Sequence, residues 1–154
     1  MSITRLARAA GSYAAACALA WTACHAIAAP APAALRVRGD AIPEALAPAG
    51  DVARARALLV ARENANCVLC HEIPDPALPF FGNVGPSLAH VATRLSPGQI
   101  RLRIVDSMRV NRDTIMPSYY RTSGFDRVAP QYRGRTVLSA QDVEDLVTYL
   151  GTLK

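Results

Sequence analysis

The sequence predicts a small all-α domain with long loops, and three observations carry that prediction. Apolar residues recur at helical spacing in three stretches, each preceded by an aspartate or serine able to cap a helix. No run of any length alternates apolar and polar residues as a half-buried strand would. The helical stretches are separated by segments dense in proline and glycine, which interrupt helix and strand alike.

Each element follows in chain order. Arg5 and Arg8 precede an alanine-rich apolar run that reaches Trp21 and Ile27, and Ala26–Ala28 ends it with small residues. A basic start, an apolar middle and a small-residue exit predict a secretory signal peptide over residues 1–28. Two alternatives stand beside it. The run from Ala9 to Ala29 is close to spanning length and could stay as an anchor, although Ser12, Thr22 and His25 interrupt it. Cys24 could take a lipid, although Trp21 stands where such a site wants an aliphatic residue.

Residues 29–50, rich in alanine and proline, read as an extended arm, because Pro30, Pro32, Pro43 and Pro48 forbid a long helix. Its segment LRVRGDAI could dock on another surface. A single domain then fills residues 51–154. Asp51 caps a helix from Val52, with Ala55, Leu58, Leu59 and Arg62 following at helical spacing. This helix is expected to run into Asn64–Asn66 and to deliver Cys67 at its end. The stretch Pro74–Pro86 is loop. Ser96 caps the second helix and Pro97 starts it, with Ile100, Ile104 and Met108 as its stripe and Val105 alongside. Loop returns until Ser139, which caps the third helix with Asp142 as a capping-box acid. Val143, Leu146, Val147, Leu150 and Leu153 form its apolar face.

The chain's 154 residues suffice for one domain with a modest core. The formal charge of +5 falls by two once Arg5 and Arg8 leave with the leader, the arginines are scattered, and Lys154 is the only lysine. No basic stripe interleaved with aromatics appears, which argues against a nucleic-acid surface.

Beyond the leader the only cysteines are Cys67 and Cys70, in the stretch CVLCH that ends on His71. In an exported protein two lone thiols would ordinarily pair. A zinc site needs four ligands, and the chain has no second Cys or His pair at suitable spacing. A thioredoxin-like pair wants a βαβ context, which is absent. C-x-x-C-H is the haem c attachment pattern: each thiol adds to one vinyl group, and the adjacent histidine is placed to bind the iron. One covalent haem through Cys67 and Cys70, with His71 as an axial ligand, is therefore expected. A flat apolar cofactor serving as core also accounts for loops that would be long in so small a domain. In GNVGPSL, Pro86 supplies a carbonyl at a rigid turn to which the free ring N–H of His71 could donate.

The second axial ligand is Met116, Met108 or His90. Met108 continues the stripe of Ile100 and Ile104, so packing is its expected role, and His90, shortly after the proximal loop, is expected on the proximal side or at the surface, with bis-histidine ligation as the alternative. Met116 lies in a loop, followed by Pro117, and its backbone is not committed to a helix stripe; it is the favoured ligand. An iron held by histidine and methionine has no open position and serves electron transfer, with a raised potential. Arg94, Arg101, Tyr119 and Tyr120 are candidates for holding the haem carboxylates.

The segments CVLCH, GNVGPSL, TIMPSYY and RVAPQYRGRTVLSAQDVEDLVTYLGTL together resemble SoxX, the monohaem c-type cytochrome subunit of the SoxAX thiosulfate-oxidising complex, over a region from about Arg36 to the C-terminus. The resemblance implies a class I cytochrome c-like domain wrapped around one covalent haem, in a periplasmic heterodimer with SoxA. That complex, an L-cysteine S-thiosulfotransferase, oxidatively couples thiosulfate to a cysteine of the carrier SoxYZ. The subunit's implied part is to pass electrons to a soluble cytochrome c. The catalytic haem belongs to SoxA, so this chain contributes no catalytic residue. A free-standing class I cytochrome c shuttle is the competing reading. A haem peroxidase or oxygenase subunit is a third, disfavoured by Met116.

Overall fold

The computed structural model describes residues 35–78 and 80–154; the leader expected over residues 1–28 and the first part of the arm lie outside them. Among the described residues every regular element is helical: α1 (Val52–Val60), α2 (Val91–Arg94), α3 (Pro97–Val105) and α4 (Ala140–Leu150), joined by loops and three short 3-10 turns. Extended pairing is limited to one isolated bridge between Arg38 and Ala41.

The helices begin where side chains can satisfy their free backbone N–H groups. The Asp51 carboxylate accepts from Arg54 N at 2.7 Å. Ser96 and Gln99 close a reciprocal capping box at α3, and Ser139 and Asp142 close another at α4. Helix α4 is the centre of the domain. Val143, Leu146, Val147 and Leu150 are buried on it, and α1 and α3 both pack against it.

Two helix ends differ from expectation. Helix α1 stops at Val60 instead of running to Asn66. Asn66 takes a left-handed backbone with φ 44°, a conformation asparagine tolerates better than most residues, and this redirects the chain into a 3-10 turn at Cys67–Leu69. Helix α3 stops at Val105, so Met108 does not continue its stripe. It sits half-buried in the 3-10 turn Ser107–Arg109, where its sulfur accepts a long contact of 3.6 Å from Arg121 Nη1. Leu153 also lies past its helix, yet still packs on the core.

What the arm docks on is the chain's own helix pair. Ile42 is fully buried and donates its N–H to Gly98 O at 2.9 Å. Arg101 of α3 donates to Ile42 O at 2.7 Å and grips Glu144 of α4 with two bonds of 2.6 and 2.7 Å. Glu144 also accepts from Leu46 N at 3.0 Å. This ion pair joins arm, α3 and α4 at one buried point.

Two further carboxylates, whose side chains are themselves buried, tie elements together through arginines exposed at the surface. Asp145 accepts from Arg54 at 2.7 Å and from Asp51 N at 2.8 Å. Asp75 accepts from Arg56 at 2.7 Å and from Tyr149 Oη at 2.8 Å. The arginine in each case, first of several causes, holds the carboxyl below its ordinary 3.8, and burial with the bond to Asp75 pushes Tyr149 up to about 12. Because both carboxyl pKa values are lowered by folding, their contribution is fully present above about pH 4 and is lost as pH falls through the folded values. Thermal melting is expected to drop on acidification below that point, and Asp145→Asn is expected to flatten part of the drop. Parallel pH profiles for wild type and variant would rule out this linkage.

Candidate functional site

Short local bonds arrange the C-x-x-C-H segment. Cys70 N and His71 N both donate to Cys67 O, at 3.1 and 2.9 Å, so the segment folds as a tight turn. The loop over residues 82–88 lies along it. Gly82 N donates to Val68 O, Gly85 N to Cys70 O and Leu88 N to Glu72 O, all within 2.9 Å. This laminate brings Pro86 O to 2.7 Å from His71 Nδ1. A carbonyl only accepts, so Nδ1 carries the proton and Nε2 keeps its lone pair free. Gly85 is required by the same closeness: a Cβ there would sit 2.7 Å from Nδ1 and 2.9 Å from Nε2.

His71, Cys67 and Cys70 line a cleft of about 550 Å³. The volume is within the range of roughly 300–1,000 Å³ usual for ligand and cofactor sites. Leu59, Ile100, Ile104, Leu146 and Leu150, from α1, α3 and α4, supply much of its apolar wall. Met116 lines the same cleft from the loop after α3. Its backbone is held from both sides: Ser107 Oγ donates to Met116 O at 2.6 Å, and Met116 N donates to Thr114 Oγ1 at 3.1 Å. Ser118 Oγ in turn donates to Asp106 at 3.0 Å, and Tyr119 N and Tyr120 N donate to the last carbonyls of α3. Sequence reasoning did not find this polar clamp, because serine and threonine in a loop carry no pattern that says which carbonyl they will meet.

The other candidates fall elsewhere. Neither Met108 nor His90 lines the cleft; His90 is exposed, with φ 55°, just before α2. Arg101, a candidate for the cofactor's carboxylates, is consumed by Glu144 and Ile42 and faces away from the cleft. Arg94 spends its Nη2 on the carbonyls of Ser87 and Ala89, and Tyr120 does not reach the cleft wall. Tyr119 does, but its hydroxyl donates to Ala65 O at 3.0 Å, and burial raises its pKa.

The thiols are not joined to each other. Cys67 keeps some surface open to the cleft, yet the atoms packed around it make a thiolate costly, and burial pushes the thiol up to about 11. Catalytic and redox-exchanging thiols are tuned the other way. Two unpaired thiols beside a histidine with a free Nε2, facing an apolar cleft with a methionine on its wall, suit a covalently held haem. Its flat apolar ring needs such walls, and its iron takes nitrogen and thioether ligands.

No family model matches the chain, and no curated protein does. Among solved structures the chain is similar to the crystal structure of SoxXA from P. pantotrophus. The two are 29% identical with a TM-score of 0.71, and the match covers 81% of this chain and 98% of that one. The helical arrangement of the described residues is thus similar to that chain's fold along nearly its whole length.

Proposed function

We propose that the chain is an exported c-type cytochrome subunit of the SoxX kind. Cys67 and Cys70 hold one haem covalently, and His71 and Met116 are its axial ligands. One observation carries this reading: a single apolar cleft brings the C-x-x-C-H turn and Met116 together while leaving Met108 and His90 outside. The likeness to SoxXA supports a partnership with a SoxA-type protein.

The protein's own residues do the following. Pro86 O fixes the ring and tautomer of His71, which strengthens Nε2 as a donor to iron. Ser107 and Thr114 hold the backbone of Met116 so that its thioether stays at the cleft. The apolar wall excludes water. A haem held in this way supplies one-electron chemistry at an iron with no open position. At the cleft mouth Val84 is 64% and Ile115 79% exposed, and Leu69 is exposed beside the loop over residues 82–88. Exposed apolar side chains gathered around a site suit a partner surface.

In this role the subunit takes electrons from the oxidative coupling of thiosulfate to a carrier cysteine, of the SoxYZ type, and hands them to a soluble cytochrome c. The leader over residues 1–28 would direct it to the periplasm, and among the described residues no helix is long and apolar enough to cross a membrane.

Affinity purification of the full chain from its native host tests the reading. Haem is expected to stay on the polypeptide through denaturing electrophoresis, and a second haem protein is expected to co-elute. Haem that leaves in acid-acetone would remove the covalent attachment. Elution alone, with haem intact, would favour a free-standing electron shuttle.

A further inference from the structure

Arg103 has an unusual position. Residues 100, 103, 104 and 107 lie on the cleft side, the spacing of a single helix face carried one turn past α3. Ile100 and Ile104 suit that face; an arginine does not. Among the residues lining the cleft, Arg103 is the only lysine or arginine.

Its bonds are also incomplete. Arg54, Arg56 and Arg101 each close on a carboxylate at 2.6–2.7 Å. Arg103 Nη2 is 3.3 Å from Asp40 Oδ2, while Nη1 donates to Gln99 O at 2.9 Å and lies 3.5 Å from Asp40 O. No acceptor within the described residues meets its Nε–H. The side chain is 28% exposed, so it stands at the rim, neither enclosed nor fully solvated.

Asp40 is built into place. The turn Arg38–Ala41 is closed by two backbone bonds of 2.8 and 3.1 Å and turns at Gly39, whose φ of 59° glycine adopts without strain. Gln99 Nε2 then donates to Asp40 Oδ2 at 2.9 Å, which leaves the carboxylate fixed beside the guanidinium.

We propose that Arg103 binds a carboxylate of the cofactor at the cleft rim, and that Asp40, carried by the arm, is a positioning residue that orients the guanidinium. The proposal rests on the haem reading above. A haem has an apolar ring and two carboxylates, so its site needs a cation at the margin of an apolar cleft. A guanidinium with unspent donors matches a carboxylate in shape and charge.

The test uses the purified haem-loaded protein and its midpoint potential across pH, with Arg103→Gln, Arg103→Lys and Asp40→Asn. A cation beside the carboxylate keeps it ionised and offsets its charge, which favours the reduced iron; removing the cation leaves the anion unscreened and favours the oxidised iron. Arg103→Gln is therefore expected to lower the potential and to add a pH-dependent segment as the carboxylate begins to titrate. Arg103→Lys, which keeps the charge, is expected to keep the flat profile; if the glutamine variant does not fold, the uncharged Arg103→Met carries the test. Asp40→Asn is expected to bring in part of the same pH-dependent segment, because the guanidinium is no longer oriented, whereas loss of an anion alone would only offset the profile upward at every pH. An Arg103→Gln profile superimposable on wild type would overturn the proposal, and an Asp40→Asn profile offset upward but flat would overturn the positioning role of Asp40. Failure of the haem reading itself would show separately, as a wild type that carries no haem spectrum.

Discussion

Arg101→Leu is expected to cost about 3–5 kcal/mol of folding stability, the usual effect of removing one partner from a buried pair. Both side chains of the Arg101–Glu144 pair are only 6% exposed. The leucine would leave Glu144 as an uncompensated buried charge and Ile42 O without its donor. Domains are stable by about 5–15 kcal/mol, so the loss approaches the whole margin of a weak one. Denaturant titration of Arg101→Leu, Glu144→Leu and the double variant measures it. The double variant is expected to recover much of the loss, because no charge is then stranded. A single variant that loses less than about 1 kcal/mol would place the pair in the class of hydrated surface bridges. The same contacts mean that trimming the arm through residue 45 would strip Ile42 from the core as well as free any partner surface.

Met116→Leu is expected to abolish the weak near-infrared band between methionine sulfur and ferric iron and to lower the potential. The substitution keeps volume and apolarity but removes the sulfur lone pair. Met108→Leu is expected to leave the band intact and to cost less than about 1.5 kcal/mol, as near-isosteric swaps do. The structure adds a reason: Met108 lies off the cleft, with only a long contact to Arg121 to lose. The opposite pattern would move the ligand to Met108. A wild type lacking the band would favour His90.

Where local chemistry determines a feature, the sequence made it legible. Asp51, Ser96 and Ser139 announce three helices, since a cap acts within one turn. CVLCH and GNVGPSL could be read together because a proximal histidine needs an acceptor, and Pro86 O lies within bonding distance of it. Features set by distant partners were not legible. Arg101 is a candidate for the cofactor's carboxylates on sequence, and nothing local says that Glu144, 43 positions away, would consume it. Arg103, two residues on, was passed over, although its place between Ile100 and Ile104 on one helix face was available from spacing alone. The early stop of α1 comes where Ala61 turns extended, and the left-handed Asn66 then opens the turn at Cys67; periodicity reports neither.

The packing of α1 on α4 also sets an order of events during biogenesis. These helices flank the entire site-bearing stretch, so their meeting closes a loop of about 80 residues, at an entropic cost of roughly 4 kcal/mol by chain-length scaling. Leu146 and Leu150, which wall the cleft, arrive on the last helix. A chain that emerges from its N-terminus therefore presents Cys67 and Cys70 before that wall exists. In this interval the Cys67 thiol is not yet buried; in the folded domain burial pushes it up to about 11. The thiol is thus more reactive in the unfinished chain than after burial in the folded domain.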